Sequence, residues 1–122
     1  MPEEGAAREV VEEPVTPASL LLASCAATFA ECLEIIRRKN HDYAADADAF
    51  ANFRTCELLN VSAEKGIMVR WLDKIKRVDN LLTKEAYVTD ESIEDTLRDA
   101  INYPALLLAL IRDRRSRENS KL

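Results

Sequence analysis

The chain has 122 residues, a length typical of a single domain. Apolar residues make up 48% and charged residues 32%, as in globular proteins, whereas the only glycines are Gly5 and Gly66. The glycine-rich phosphate-binding motifs of Rossmann and P-loop proteins cannot be formed from these two, and many-stranded folds use glycine at their hairpins. A net charge of -5 argues against binding to a nucleic acid polymer. The composition therefore predicts an all-α protein.

Cysteine and histidine usage excludes a zinc site. Cys25, Cys32 and Cys56 form no C-x-x-C pair, and His41 is the only histidine. Cys25 and Cys32 are seven residues apart on one predicted helix, too far apart to form a disulfide. Reduced thiols, an acidic N-terminus and the polar residues that interrupt the first apolar run predict a cytoplasmic protein without a membrane span.

Helix signals begin after a segment without periodicity. Residues 1–15 are rich in Glu and predict a disordered acidic tail. Thr16 provides a capping oxygen and Pro17 suits the first helical position, so helix A is expected from there to about Lys39. No period is sustained over residues 40–61, which predicts a loop with one or two short helices.

Two further helices are expected in the second half of the chain. Ser62 is placed to cap helix B, over about residues 63–84, whose apolar residues recur with a 3.6-residue period. Asp90 is placed to cap helix C, which contains Pro104. A proline removes a backbone hydrogen bond and crowds the preceding turn, so helix C is expected to kink near Ala100 or to restart at Pro104.

The charge distribution divides the chain into three parts. Residues 1–13 hold five Glu and one Arg, a net charge of -4, and residues 112–122 hold five bases and two acids, a net charge of +3. Together with the periodicity, this predicts a helical domain over residues 16–113 and a charged C-terminal tail over residues 114–122. That tail is expected either to extend helix C or to keep the chain soluble.

Helices A and C both carry carboxylates on one face. Glu31 and Glu34 are three residues apart on helix A, while a stripe on helix C leads to Asp99. Acids in the first turn of helix C favour the helix dipole, but Asp99 is too far from the terminus for that explanation. The stripe consists of Glu91, Asp95, Asp99 and Asn102, with Glu94 beside it. Facing carboxylates would form an oxygen-only site for Mg²⁺ or Mn²⁺. The alternative is that these carboxylates are solvated or form ion pairs with basic side chains of helix B.

Basic and aromatic residues add two further candidate groups. Arg70, Lys74 and Arg77 share one face of helix B, which is either a solvated surface or a set of phosphate ligands. Aromatic and amide residues follow Lys39 in the middle segment, where they would either stack on a nucleobase or pack in the core. These are Tyr43, Phe50, Asn52 and Phe53.

The chain resembles a known enzyme family over about residues 18–111. A Glu31-x-x-Glu34 pair on a first helix and an acidic motif on a later helix are similar to the MazG-like all-α nucleoside triphosphate pyrophosphohydrolases. Three segments resemble more specifically a phage-associated branch that includes the MazZ-type purine deoxynucleotide diphosphohydrolases. They are residues 39–43, Val69-Arg70 with Asp73-Lys74, and residues 95–99 with Asn102-Tyr103.

The second acidic motif departs from the family pattern. In the family it is usually Glu-x-x-Asp, a few tens of residues after the first, whereas here Asp95-x-x-x-Asp99 begins about sixty residues after Glu34. Either Glu91, Glu94 or Asp95 is therefore the partner of Asp99. Residues at i and i+4 still share one helix face, so the geometry tolerates the changed spacing.

The resemblance implies a MazG-like helical bundle whose core helices are completed by oligomerisation, as a homodimer or homotetramer. It implies Mg²⁺- or Mn²⁺-dependent cleavage of a purine nucleoside triphosphate, with dGTP expected, between the α and β phosphates. The products are pyrophosphate and a monophosphate, and dGMP would feed synthesis of 2-aminoadenine in the host cytoplasm if the protein is phage-encoded. A pyrimidine substrate such as dUTP or dCTP, or a non-enzymatic helical dimerisation module, is the alternative.

Each candidate residue has an expected role in this reaction. Metal ligands are expected at Glu31, Glu34, Asp95 and Asp99, with Glu31 or Glu34 as the general base. Phosphate ligands are expected at Lys39, Arg70, Lys74 and Arg77. The base pocket is expected to draw on Tyr43, Phe50, Asn52, Asn102 and Tyr103.

Overall fold

The computed structural model describes residues 14–43, 48–84 and 91–121, and of residues 41–43 and 91 it describes the backbone alone. Within these ranges the protein is all-helical and has no strand, as predicted. Its elements are α1 (Pro17–Tyr43), α2 (Ala51–Arg54), a 3-10 helix (Thr55–Leu59), α3 (Ala63–Thr83) and α4 (Glu91–Ser120). The predicted acidic tail up to residue 13, the Asp90 cap and the break over residues 85–89 lie outside the described residues.

Helix α1 begins where the capping signal predicts. The Ser19 N–H donates to Thr16 Oγ1 at 3.1 Å, and the Thr16 N–H donates to Ser19 Oγ at 2.8 Å, so each side chain satisfies the other residue's backbone. The helix continues beyond the predicted end at Lys39 to Tyr43. No glycine or proline occurs between these two residues, so the chain lacks a local stop signal there.

The middle segment contains two short helices, as predicted. Helix α2 leads directly into the 3-10 helix, which ends at Asn60 in the left-handed conformation with φ of 59°. Asparagine tolerates this conformation better than most residues, and it turns the chain towards α3. Ser62 Oγ then accepts a hydrogen bond from the Lys65 N–H at 3.2 Å, which confirms the predicted cap of α3.

Helix α4 is continuous through Pro104, so the predicted restart at this residue is wrong. The missing proline hydrogen bond is tolerated because α3 and α4 form the most extensive interface between helices in the described chain. The helix also continues through the basic segment to Ser120, so this segment extends helix C. Arg114 on it pairs with Glu64 at 3.0 Å and with Glu57 at 3.8 Å, which ties the end of α4 to the start of α3 and to the 3-10 helix.

The buried core lies where α2, α3 and α4 meet. Phe53, Ala63, Ile67 and Leu110 form it, and Phe50, Tyr103, Leu106 and Leu107 pack against it. Phe53 is 8% exposed, so its ring is largely a core side chain. Ile67 and Leu110 are fully buried and come from facing helices, which explains the extent of the α3–α4 interface.

Helix α1 contacts α4 through its second half, from Glu31 to Lys39. Cys32 is 3% exposed and its backbone oxygen accepts a hydrogen bond from Asn102 of α4 at 3.2 Å. Before this crossing, large apolar side chains such as Leu22 and Phe29 are exposed. The segment Pro17–Asn40 is long and apolar enough to cross a membrane by length and composition, which is weak evidence because core helices and signal sequences share these properties. The absence of a membrane span therefore stays a prediction.

Candidate functional site

A pocket of about 240 Å³ opens where the three long helices approach α2. Six of the residues predicted to bind phosphate, metal or base line it, namely Lys39, Asn52, Arg70, Asp99, Asn102 and Tyr103. The other lining residues are Ile36, Asn40, Ala49, Phe53 and Leu106. The pocket therefore combines charged groups, amides and aromatic rings contributed by separate parts of the sequence.

Asp99 lies between two lysines at this pocket. Lys74 Nζ is 2.9 Å from Asp99 Oδ2, and Lys39 Nζ is 3.7 Å from Asp99 Oδ1. The carboxylate is 24% exposed, so it is partly shielded from solvent. Each oxygen thus faces one ammonium group, and α1, α3 and α4 are joined through a single side chain. The predicted metal ligand Asp99 is, in this arrangement, the ion-pair partner of two predicted phosphate ligands.

Arg70 contacts an aromatic ring at the pocket. Its Cζ atom lies 5.0 Å from the centroid of the Phe53 ring, a cation–π arrangement. Arg70 is exposed, whereas Phe53 is buried in the core. The guanidinium therefore lies on a fixed aromatic ring at the pocket wall.

The amides of the pocket differ in how firmly they are held. Asn102 is 6% exposed, and its Nδ2 donates to the Cys32 backbone oxygen at 3.2 Å. This hydrogen bond fixes the side chain at the point where α1 crosses α4. Asn52 is exposed on α2, and Tyr103 packs against the core from α4. The site therefore has one rigid amide, Asn102, and two exposed amides, Asn40 and Asn52.

Arg98 gathers the carboxylates of α1 and α4. Its Nε donates to Glu31 Oε2 at 2.7 Å and its Nη1 to Asp95 Oδ1 at 3.1 Å, while Glu94 lies 3.9 Å away. The hydrogen bond with Glu31 raises the pKa of Arg98 above its ordinary value. Glu34 pairs instead with Arg37 and Arg38 on its own helix.

The four predicted metal ligands are consequently divided among separate cations. Glu31 and Asp95 share Arg98, Glu34 has the arginines of α1, and Asp99 has the two lysines. In the part of the chain that is described, no three Asp, Glu, His or Cys side chains form a group that could hold a metal ion. Their chemistry, carboxylate oxygen throughout, still suits Mg²⁺ or Mn²⁺.

Among the described side chains, Lys74, Arg77 and Phe50 are further predicted site residues that do not line the pocket. The Arg77 Nε donates to Thr96 Oγ1 at 3.2 Å, so this side chain reaches across the α3–α4 interface. Phe50 packs against the core. Tyr43 belongs to α1, but its side chain lies outside the described residues.

The sequence reasoning missed the role of Arg98. The sequence does indicate part of this role, because Arg98 follows Glu94 by four residues and Asp95 by three, which is the spacing of ion pairs on one helix. Its reach to Glu31 depends on how α1 crosses α4 and has no local signal. The small and apolar lining residues Ala49 and Leu106 likewise carry no chemical signature in the sequence.

No protein-family model, curated protein or solved structure matches this chain.

Proposed function

We propose that the chain is a MazG-like nucleoside triphosphate pyrophosphohydrolase. The observation that carries the proposal is the pocket, which has cations, amides and aromatic side chains around one cavity. Lys39 and Arg70 line the pocket and Lys74 contacts Asp99 beside it, so three positive charges oppose the single negative charge of Asp99, an excess of +2. An excess positive charge favours a polyanion, and amides with aromatic groups favour a nucleobase.

Lys39 and Lys74 are the proposed phosphate ligands. An ammonium group has three N–H donors, so the contact of each lysine with Asp99 leaves donors for phosphate oxygens. Their positive charge would stabilise the charge that develops on pyrophosphate as it leaves. Asp99 holds both ammonium groups near one another, so they can act on the same phosphate chain. Arg77 is a weaker candidate because its guanidinium contacts Thr96.

Asn52, Asn102 and Tyr103 form the proposed base side of the pocket. Asn102 is held by its bond to Cys32, which would let it present a fixed hydrogen-bonding group to a base. Tyr43 and Phe50 are the remaining residues predicted for the base pocket, and both precede Asn52 in the same segment of the sequence. The preference for a purine, the choice of dGTP and the place of dGMP in 2-aminoadenine synthesis follow from the resemblance.

A divalent ion, Mg²⁺ or Mn²⁺, is part of the proposal. Glu31, Glu34, Asp95 and Asp99 would hold it, after exchange of their present cationic partners. When bound, the ion would offset the negative charge of the phosphates and make a water bound to it more acidic. Glu31 or Glu34 would accept the proton of the water that attacks the α-phosphorus.

A second copy of the chain is the proposed cover of α1. Leu20, Leu21 and Leu22 are 60%, 64% and 69% exposed, so most of the circumference of this helix is apolar and uncovered. Apolar area of this kind on a soluble protein marks an interaction surface. A homodimer or homotetramer would complete the helical bundle, in the host cytoplasm if the gene is carried by a phage.

A panel of ribo- and deoxyribonucleoside triphosphates tests the activity. The protein is incubated with Mg²⁺ or Mn²⁺ and each nucleotide, and the products are separated by chromatography. We expect a purine substrate, dGTP first, to give monophosphate and pyrophosphate, and Glu34→Gln and Asp99→Asn to abolish cleavage. Glu118→Gln, an exposed change near the end of α4, is the matched control and should keep full activity. Absence of cleavage between the α and β phosphates in every reaction would refute the proposal.

The exposed apolar face of α1 also favours a second candidate, a non-enzymatic dimerisation module. Such a module has no reason to bind a divalent ion in its folded state. Millimolar Mg²⁺ or Mn²⁺ should therefore raise the melting temperature of the enzyme but leave that of the module unchanged. Cleavage of dUTP or dCTP in place of purines would identify the remaining alternative, a pyrimidine nucleotide pyrophosphatase.

A further inference from the structure

Arg70 differs from the other cations at the pocket in what it contacts. Lys39 and Lys74 both pair with the Asp99 carboxylate, whereas Arg70 makes no ion pair with any described residue. Its Cζ lies 5.0 Å from the centre of the Phe53 ring. The sequence suggested a phosphate ligand at this position, but the observed partner is an aromatic surface.

The Phe53 ring gives this contact a fixed position. Phe53 is 8% exposed and packs with Ile67 and Leu110 in the core, so its ring cannot move without disturbing the packing. A guanidinium is planar and tends to lie against aromatic faces. Because Arg70 is exposed and lines the pocket, its guanidinium is accessible to a ligand.

We propose that Arg70 forms a stacking wall for the base of the nucleotide and is not a phosphate ligand. The planar heteroaromatic ring stacks on the outer face of the Arg70 guanidinium, which Phe53 supports from below. Lys39 and Lys74, which meet at Asp99, hold the phosphates. This inference rests on the proposed function, since it assigns the base end of the same pocket. Arg70 thereby determines affinity for the base, with the larger overlap available to a purine.

Two ligands separate base binding from phosphate binding. The monophosphate dGMP carries both groups, whereas 2-deoxyribose 5-phosphate carries the sugar and phosphate alone. Calorimetric titrations with each ligand, and with dCMP as the pyrimidine arm, are made on the wild-type chain and on Arg70→Lys. Lysine keeps the positive charge but has no planar group, so it can replace a phosphate ligand but not a stacking surface.

We expect Arg70→Lys to weaken dGMP binding by about tenfold, with a smaller loss for dCMP and no change for 2-deoxyribose 5-phosphate. Lys74→Gln is the matched control, and it should weaken all three ligands by the same factor. Arg70 is exposed, so its substitution should leave the thermal unfolding transition in place, and this is measured for each variant.

Three outcomes would overturn the inference. Unchanged dGMP affinity in Arg70→Lys would show that the guanidinium plane is not used. Equal wild-type affinities for dGMP and 2-deoxyribose 5-phosphate would show that the base makes no contribution, while leaving the phosphate site and the proposed function intact. Failure of the wild-type chain to bind any of these ligands would remove the nucleotide site, and the proposed function would fall with the inference.

Discussion

The ammonium nitrogen of Lys74 lies 2.9 Å from Oδ2 of Asp99, an ion pair that joins α3 to α4 beside the pocket. Lys39 approaches the other oxygen of the same carboxylate at 3.7 Å, which brings in α1. The Asp99 side chain of α4 therefore forms ion pairs with both of the other long helices. Because this junction is only partly exposed, its electrostatic energy is less screened than that of a surface pair.

The Lys74–Asp99 pair should make a measurable contribution to stability. We expect Lys74→Gln and Asp99→Asn each to lower the free energy of unfolding by about 1 kcal/mol, with a coupling energy of similar size in the double variant. Urea unfolding at low salt measures this. The coupling should decrease in about 1 M NaCl, where screening is strong. Lys76→Gln serves as the control because Lys76 is exposed and has no ion pair with a described residue. A coupling energy between Lys76 and Asp99 as large as that between Lys74 and Asp99 would contradict the prediction.

Gly66→Ala should destabilise the protein although it increases helix propensity. A Cβ at Gly66 would lie 2.6 Å from Cys56 Sγ, which hydrogen-bonds to the backbone oxygens of Phe53 and Ser62. Overpacking costs about 1–3 kcal/mol, more than the roughly 1 kcal/mol gained from replacing glycine in a helix.

Thermal melts test this clash directly. The wild-type chain, Gly66→Ala, Cys56→Ala and the double variant are compared under identical conditions. In the Cys56→Ala background, Gly66→Ala should no longer destabilise, since the sulfur atom is absent. Equal losses in both backgrounds would show that the clash is not the cause.

Cys25 and Cys32 should differ in their reactivity towards alkylating agents. Cys25 is exposed, whereas Cys32 is buried and burial raises the pKa of its thiol above 9.0. Only the thiolate reacts with iodoacetamide, so at pH 8 Cys25 should be alkylated well before Cys32 in the Leu22→Glu variant, in which no second copy is expected to cover α1. Peptide mass spectrometry over a time course measures this order. In urea the two rates should become similar, and a fast reaction of Cys32 in the native state would contradict the structure.

Asp48 should contribute stability at neutral pH that is lost in acid. The Phe50 N–H donates to Asp48 Oδ1 at 3.0 Å and Arg54 Nε to Oδ2 at 2.6 Å, and these contacts lower the pKa of Asp48 below 3.8. A carboxyl group whose pKa is lower in the folded state stabilises that state above its unfolded pKa. This stabilisation is lost as the pH falls through the folded pKa.

Asp48→Asn should therefore be less stable than the wild type at pH 7, and the difference should shrink as the pH falls below about 4. Urea unfolding at pH 7 and at several acidic values gives the comparison. Asp79→Asn, on the exposed surface of α3, is the control and should track the wild type at every pH. A difference for Asp48→Asn that is constant with pH would mean that charge is not responsible.

Self-association should depend on α1. A charge at Leu22, which is 69% exposed within one chain, should disrupt the proposed contact with a second copy because a buried unpaired carboxylate is unfavourable. We expect Leu22→Glu to convert the dimer or tetramer to a monomer in light scattering coupled to size exclusion. Leu58→Glu, on the 3-10 helix and 85% exposed, is the matched control and should leave the mass unchanged. A monomeric wild-type chain would contradict the prediction.

Much of the fold could be predicted because its signals are local. Thr16 and Ser62 mark the starts of α1 and α3, since a capping side chain and the backbone it satisfies are only three residues apart. The end of α1 and the continuity of α4 could not be predicted in the same way. Helix α1 passes Lys39 for lack of a stop signal, and Pro104 is tolerated because α4 packs along α3.

The types of residue at the candidate site could be predicted, but not their pairing. The sequence predicts Lys39 and Arg70 as phosphate ligands and Asp99 as a metal ligand, and all three line the pocket. Their partners come from residues far away in the chain. Asp99 meets lysines of two other helices, and Glu31 meets Arg98 across 67 residues.

Helicity, the starts of α1 and α3, and the side chains that can carry charge chemistry are all evident in the sequence. Helix propensity, capping and apolar periodicity act over a few residues, so they can be read along the chain. The contact of Arg70 with Phe53 and the position of Asp99 between two lysines arise from the tertiary fold. Such contacts depend on how the helices cross. The crossing results from packing of the whole core, which no short segment of sequence can specify.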